Sequence, residues 1–149
     1  KTPLGDLYGN VELLPMGREA YKLANLYTRY PAGRFLDESC GSELTRGWHV
    51  HADNYCNYMT GYCGISLGDA RKIDSICQGI DLDDLPLLGA LVTRLKSLYE
   101  IAAREYGYRP LDGGYISKCH LCVDIRKHIA RETDEFRELR PREFYYRLD

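Results

Sequence analysis

Two of the six cysteines stand three positions apart, as Cys119-His-Leu-Cys122, where the sequence predicts the start of a helix. At a helix N-terminus such a pair can direct both sulfur atoms to one point, and the unpaired N–H groups and the helix dipole favour the thiolate. The spacing is typical of half of a four-ligand metal site or of a redox pair, and it also arises by chance. A redox pair is expected after a strand in a βαβ pattern, which is not evident here. The pair therefore favours a metal site with two further ligands.

Two other cysteines are well placed to complete such a site. The sequence predicts strands over 47–53 and 58–62, so Cys40 precedes a β-hairpin and Cys63 follows it. Antiparallel strands bring their outer ends together, and the helix with the C-x-x-C pair can dock there. Cys56, at the opposite tip of the hairpin, is predicted to be an ordinary thiol.

The predicted ligand set is Cys40, Cys63, Cys119 and Cys122. Four thiolates hold either zinc or an iron–sulfur cluster. Structural zinc sites usually combine two tight pairs, whereas 22 residues separate Cys40 from Cys63. A cluster is wider than a single ion, so the dispersed ligands favour iron–sulfur slightly. Cys77 is predicted to lie on a helix as another ordinary thiol.

Composition limits the classes of function. With 149 residues the chain has the length of one domain, and its net charge of −2 argues against a general binder of nucleic acid or membrane surfaces. No apolar run approaches the roughly 20 residues of a membrane span, and no secretory signal is seen. We therefore expect a cytoplasmic protein. Six cysteines are too few for a disulfide scaffold, although a metal-free, disulfide-linked domain stays a third alternative.

The apolar periodicity predicts four or five helices around the hairpin. The predicted helical segments are 17–30, 69–77, 84–107, one that starts at Lys118, and one that starts at Pro141. The helix from Lys118 is expected to bury Leu121, Ile125 and Ile129. The fold class that follows is a small α+β domain: one β-hairpin flanked by several helices around a four-cysteine metal site.

Three stretches resemble a known family. The hairpin segment reads Gly47-Trp-His-Val-His-Ala-Asp-Asn-Tyr-Cys-Asn-Tyr-Met-Thr-Gly-Tyr-Cys-Gly-Ile-Ser-Leu-Gly-Asp69. Later stretches read Lys118-Cys-His-Leu-Cys-Val-Asp-Ile-Arg126 and Glu138-Leu-Arg-Pro-Arg-Glu-Phe-Tyr145. Together they resemble the auxiliary-cluster region of radical S-adenosylmethionine proteins, and Pro15-Met-Gly-Arg18 is similar to the end of their barrel domain.

The resemblance implies a [4Fe–4S] auxiliary cluster on the four named cysteines, in the single-cluster "twitch" arrangement. It implies one domain over 1–149, with 1–34 either part of it or the tail of an upstream barrel of the same polypeptide. In such oxidoreductases the cluster relays electrons, binds substrate or supports the domain. The C-x-x-x-C-x-x-C motif that binds S-adenosylmethionine is absent, so this chain alone is not expected to perform radical chemistry. The alternative is a zinc-binding structural or interaction module on the same cysteines.

Several neighbours of these cysteines have two interpretations. Lys118 and Arg126 either lie beside an anionic cluster and raise its potential, or belong to a solvated helix face. His120 either donates to a sulfur or points to solvent. His49 and His51 share one face of a strand and, with Asp53, either form a metal or proton-transfer site or hydrogen-bond within the hairpin.

Overall fold

The predicted hairpin is present in the computed structural model, which describes residues 16–44, 50–60 and 63–148. Strand β1, Val50–Ala52, pairs antiparallel with strand β2, Asn57–Thr60, and His51 lies opposite Met59. A third strand, β3 at Gly68–Asp69, pairs with the other edge of β2. The sequence does not indicate β3, because two residues are too few to show an alternating pattern.

Asp53 organises the turn between β1 and β2. Its carboxylate accepts hydrogen bonds from the backbone N–H groups of Tyr55 at 2.9 Å and Asn57 at 2.8 Å, and from the Asn57 side-chain amide at 2.9 Å. Of the two interpretations of Asp53, this network supports the one within the hairpin. His51 is exposed on β1, and His49 lies outside the described residues.

Seven α-helices occur within the described residues. They are α1 (Glu19–Lys22), α2 (Gly41–Leu44), α3 (Ile73–Gln78), α4 (Pro86–Thr93), α5 (Leu95–Tyr106), α6 (Lys118–Glu132) and α7 (Arg142–Tyr146). Single turns of 3-10 helix occupy Ala24–Leu26, Ala32–Arg34, Ala70–Lys72 and Arg137–Leu139. With the three-stranded sheet, these elements confirm the α+β class.

The helix predicted over 84–107 is two helices. It breaks at Arg94, whose φ of −173° and ψ of 156° are extended. The break exposes the backbone N–H of Leu95, which donates to the carbonyl of Glu38 at 2.8 Å. The apolar periodicity of the sequence continues through the break, but a backbone hydrogen bond to a distant loop interrupts the helix there.

The helix predicted over 17–30 is also shorter than expected, since α1 ends at Lys22 and is followed by a 3-10 turn. Tyr30 instead forms a bridge with Tyr115, and each backbone N–H donates to the other carbonyl at 2.8 Å. Gly114 makes this contact possible. Its φ is +70°, and a Cβ there would lie 2.6 Å from the Tyr30 carbonyl oxygen.

Helix α6 is the central element of the core, packing against α5 and α7. The prediction for its buried face is confirmed, because Leu121, Ile125 and Ile129 have no exposed surface. Ser117 caps its first turn by accepting from the N–H of His120 at 3.1 Å. No helix among the described residues combines the length and the apolar character needed to cross a membrane.

Candidate metal centre

The first turn of α6 carries two of the predicted ligands. Cys122 is 3 % exposed and Cys119 is partly buried, and both are free thiols. The Ser117 cap fixes the start of the helix, so the C-x-x-C pair occupies the N-terminal turn that the sequence predicts.

Cys40 is held against the carboxyl end of α4. Its backbone N–H donates to the carbonyl of Leu91 at 3.1 Å, and its own carbonyl accepts from Leu44 at 3.0 Å as α2 begins. The break between α4 and α5 docks residues 36–40 against the core, which places Cys40 there with 7 % exposure.

Cys63 follows β2 and is fixed through its backbone. Its carbonyl accepts from Nη2 of Arg126 on α6 at 2.9 Å. Three residues further on, the N–H of Ser66 donates to the carbonyl of Glu138 at 2.9 Å. The buried carboxylate of Glu138 in turn accepts from the N–H of Leu87 at 3.0 Å. The segment 63–66 is therefore connected to α6 directly and to α4 through Glu138.

The charges of the four predicted ligand thiols interact. In every one of the six pairs among Cys40, Cys63, Cys119 and Cys122, the charge of one thiolate raises the pKa of another. Within the described residues, however, no three side chains of His, Cys, Asp or Glu lie close enough to hold one metal ion. The described residues therefore do not show the four-cysteine site that the sequence predicts. Cys77 is exposed on α3.

Burial keeps the thiols of Cys40 and Cys119 protonated in the metal-free protein. Loss of solvent, with a further contribution from Cys63, raises the pKa of Cys40 to about 11. Loss of solvent, followed by Cys122, raises the pKa of Cys119 to about 12. In the metal-free chain burial therefore favours the protonated thiol of Cys119, although the residue lies at a helix N-terminus.

Arg126 lies beside the thiols in the interior, with 2 % exposure. Besides the bond to Cys63, its Nη1 donates to the hydroxyl of Tyr145 at 3.1 Å, whereas its Nε has no hydrogen-bond partner. No Asp or Glu pairs with it among the ion pairs of the described residues. The solvated-face interpretation is wrong for Arg126, and its guanidinium is a buried cation without a carboxylate partner among the described residues.

Lys118 has a different environment. Its ammonium donates to the carbonyl of Ser39 at 3.1 Å and lies 3.6 Å from the carboxylate of Glu38. The side chain is 28 % exposed, so Lys118 is a partly solvated cation at the rim of the thiol region.

His120 is buried, with 2 % exposure, so the interpretation in which it points to solvent is wrong. Its ring packs edge-on against Tyr21 and Tyr115, both at 5.2 Å between centroids. Its Nδ1 accepts from the N–H of Ile116 at 3.4 Å, and its Nε2 has no partner. Burial lowers its pKa, so the ring is neutral at physiological pH.

The sequence analysis missed a buried network around Asp124, one turn after the C-x-x-C pair begins. Its carboxylate accepts from the hydroxyls of Tyr108 at 2.8 Å, Tyr115 at 3.0 Å and Tyr21 at 3.1 Å. This network ties α6 to the loop that precedes it. A carboxylate between Val123 and Ile125 on the most apolar helix face is the signal that indicates a buried acceptor.

The chain matches no protein-family model, no curated protein and no solved structure.

Proposed function

We propose that this chain is the auxiliary domain of a radical S-adenosylmethionine oxidoreductase and binds one [4Fe–4S] cluster through Cys40, Cys63, Cys119 and Cys122. The observation that supports the proposal is the electrostatic interaction of these four thiols with one another and with the buried guanidinium of Arg126.

The charge of Arg126 supports a metal-bound state. A buried guanidinium remains ionised and needs a negative partner, since an uncompensated buried ion costs several kcal/mol. The pKa values of Cys40 and Cys119 keep both thiols neutral at pH 7 while no metal is bound. A metal that binds these sulfur atoms displaces their protons and turns them into thiolates. Metal binding therefore supplies the counter-charge that the metal-free interior lacks.

The spacing of the ligands in the sequence favours a cluster over an ion. Structural zinc sites usually combine two tight pairs, whereas 22 residues separate Cys40 from Cys63. Zinc remains the second candidate, because a tetrathiolate zinc site carries negative charge beside Arg126 as well.

The residues indicate what the domain does with the cluster. The four ligands come from the start of α2, the end of the hairpin and the start of α6, so a bound cluster crosslinks three separate segments. A bound cluster also supplies one-electron transfer, and the chain's own residues hold it in a water-poor interior. The partner in this proposal is the barrel domain of the same polypeptide, in the reducing cytoplasm where thiols stay free.

The test is the content of iron, acid-labile sulfide and zinc per chain after strictly anaerobic preparation and cluster reconstitution, with a visible spectrum. The expected result is about four irons and four sulfides, with broad absorbance that bleaches on reduction. The double variant Cys119→Ser/Cys122→Ser should lose the metal. Its matched control, Cys56→Ser/Cys77→Ser, should retain it.

Two results contradict the proposal. One zinc per chain without sulfide, even after reconstitution, establishes the zinc module instead. Metal content that survives the loss of Cys119 and Cys122 shows that the ligand set is wrong.

A further inference from the structure

A cavity of about 460 Å³ lies at the tip of the hairpin, and none of the four proposed ligand cysteines lines it. Three parts of the chain form its wall: the turn at 55–57, the β3 region at 66–71 and the segment 137–143. Small-molecule sites typically enclose roughly 300–1,000 Å³, so the cavity has room for a compact ligand.

The wall of this cavity is strongly basic. Four arginines contribute to it, against two carboxylates, Asp69 and Glu143. The arginines are Arg71, Arg137, Arg140 and Arg142. The cavity thus carries an excess of two positive charges on a chain whose overall charge is −2. A local field of this sign attracts anions and repels cations.

The guanidinium groups are partly held in place and partly free. Arg71 donates two hydrogen bonds to the carboxylate of Asp69, from Nη2 at 2.8 Å and from Nε at 2.9 Å. This ion pair neutralises the charge of Asp69. Arg142 is anchored by donation from Nε to the carbonyl of Ala130 at 3.0 Å. Arg137 has only a long contact of 3.4 Å with exposed Asp84.

The side chain of Arg140 is exposed and makes no hydrogen bond or ion pair with the described residues. An unpaired guanidinium next to two anchored ones presents donors in the planar arrangement that phosphate and carboxylate oxygens accept.

Cys56 is part of the wall and has an unusual backbone. Its φ of 64° lies in the left-handed region, which costs a residue with a side chain about 1 kcal/mol or more. Its carbonyl accepts from the N–H of Ala70 at 2.7 Å, which holds the turn against β3. The thiol is close enough to Arg71 for their charges to interact. The rate at which the Cys56 thiol reacts with charged reagents therefore depends on the electrostatic field of the cavity.

We propose that this cavity binds a small molecule that carries an oxyanion group, a phosphate or a carboxylate. Arg140 supplies free donors, Arg137 has only the long contact with Asp84 among the described residues, and the anchored Arg142 adds fixed positive charge. The site is independent of the metal centre, since no ligand of that centre takes part in it.

The test compares alkylation of Cys56 by anionic iodoacetate and by neutral iodoacetamide, quantified for each cysteine peptide by mass spectrometry. The ratio of the two rates cancels the intrinsic reactivity of the thiol. Exposed Cys77 serves as the reference in the same molecule. We expect the iodoacetate-to-iodoacetamide ratio at Cys56 to exceed that at Cys77 severalfold.

The charge variants decide the cause of that difference. Arg137→Gln/Arg140→Gln removes two exposed charges of the cavity and should lower the ratio at Cys56 to the reference value. Arg94→Gln/Arg109→Gln removes two exposed charges outside the cavity and should leave the ratio unchanged.

Protection by added anions identifies the ligand chemistry. Inorganic phosphate or succinate, at ionic strength matched with chloride, should slow alkylation of Cys56 and not of Cys77. Stronger protection by phosphate assigns a phosphorylated ligand, and stronger protection by succinate assigns a carboxylate. A ratio at Cys56 that does not respond to loss of Arg137 and Arg140, or protection no greater than that by chloride, overturns the proposal.

Discussion

Arg126→Met is the substitution that most directly tests the relation between the buried cation and the thiols. Methionine fills a similar volume without charge, so the helix and the core can persist. The substitution removes the hydrogen bonds from Arg126 to Cys63 and Tyr145 in the metal-free and metal-bound proteins alike. The loss of these bonds therefore cancels when the metal affinities of the two proteins are compared.

What remains is the attraction between the guanidinium and the charged metal site. A unit charge pair separated by about 4 to 6 Å in a medium of effective dielectric constant about 20 gains roughly 3 to 4 kcal/mol. In measured cases, loss of one partner of a buried ion pair costs about 3–5 kcal/mol, a range that overlaps this Coulomb energy. Since 1.4 kcal/mol corresponds to tenfold, Arg126→Met should weaken metal binding by about 100-fold or more.

The assay is competition with a chromogenic chelator, with zinc as a probe metal that needs no reconstitution, followed by iron release from the reconstituted protein. Circular dichroism of the metal-free variant shows whether it is folded. Arg126→Lys retains the charge but lacks the planar fork, so it should recover part of the affinity.

Lys118→Met is the matched control. Its ammonium is 28 % exposed and already contacts Glu38, so its removal should cost less than about 1 kcal/mol, or roughly fivefold in affinity. A folded Arg126→Met protein that binds metal as tightly as the wild type refutes the reasoning. A loss of metal affinity that is larger in Lys118→Met than in Arg126→Met refutes the reasoning as well.

Three further predictions concern stability. In the metal-free protein the raised pKa values of Cys40 and Cys119, about 11 and about 12 against 9.0, give stability that is complete below pH 9 and is lost as the pH rises toward these values. Urea unfolding under reducing conditions should show a fall of about 1.4 kcal/mol per pH unit for each thiol, and a flat profile contradicts it. Asp124→Asn leaves buried phenols with too few acceptors and should cost about 2 kcal/mol in the same assay, so an unchanged midpoint counts against the network. Gly114→Ala should lower the melting temperature, because its Cβ meets a carbonyl at 2.6 Å, whereas Gly33→Ala has nothing within 4 Å and should not.

Local pattern was enough to predict the main elements. The turn residues at 54–57 predict the hairpin, and the apolar spacing predicts α6 together with its buried face. Both follow from interactions between residues close in sequence. The break at Arg94 could not be predicted in this way, because it depends on a hydrogen bond from Leu95 to Glu38, 57 residues apart in sequence.

In the proposed site too, some features follow from local sequence and others depend on contacts between residues distant in sequence. The positions of Cys119 and Cys122 follow from their own helix, whereas those of Cys40 and Cys63 depend on contacts with Leu91 and Arg126, which are distant in sequence. The burial of Arg126 is a property of the assembled core, although its spacing of four from Cys122 places both on one helix face and indicates it. Desolvation of the thiols likewise depends on the packed interior and favours the protonated thiol of Cys119, although the residue lies at a helix N-terminus.

Together, the neutral thiols and the charged Arg126 indicate that the metal-free interior is electrostatically incomplete. Burial keeps the protons on Cys40 and Cys119, while the cation beside them has no carboxylate within the described residues. Displacement of those protons by a metal removes both unfavourable features at once. Metal affinity should therefore rise with pH as thiol protons are released, and Arg126→Met should lower the affinity without reducing this slope, because its metal-free thiols are at least as fully protonated. An affinity that is independent of pH shows that the ligands are not these buried thiols.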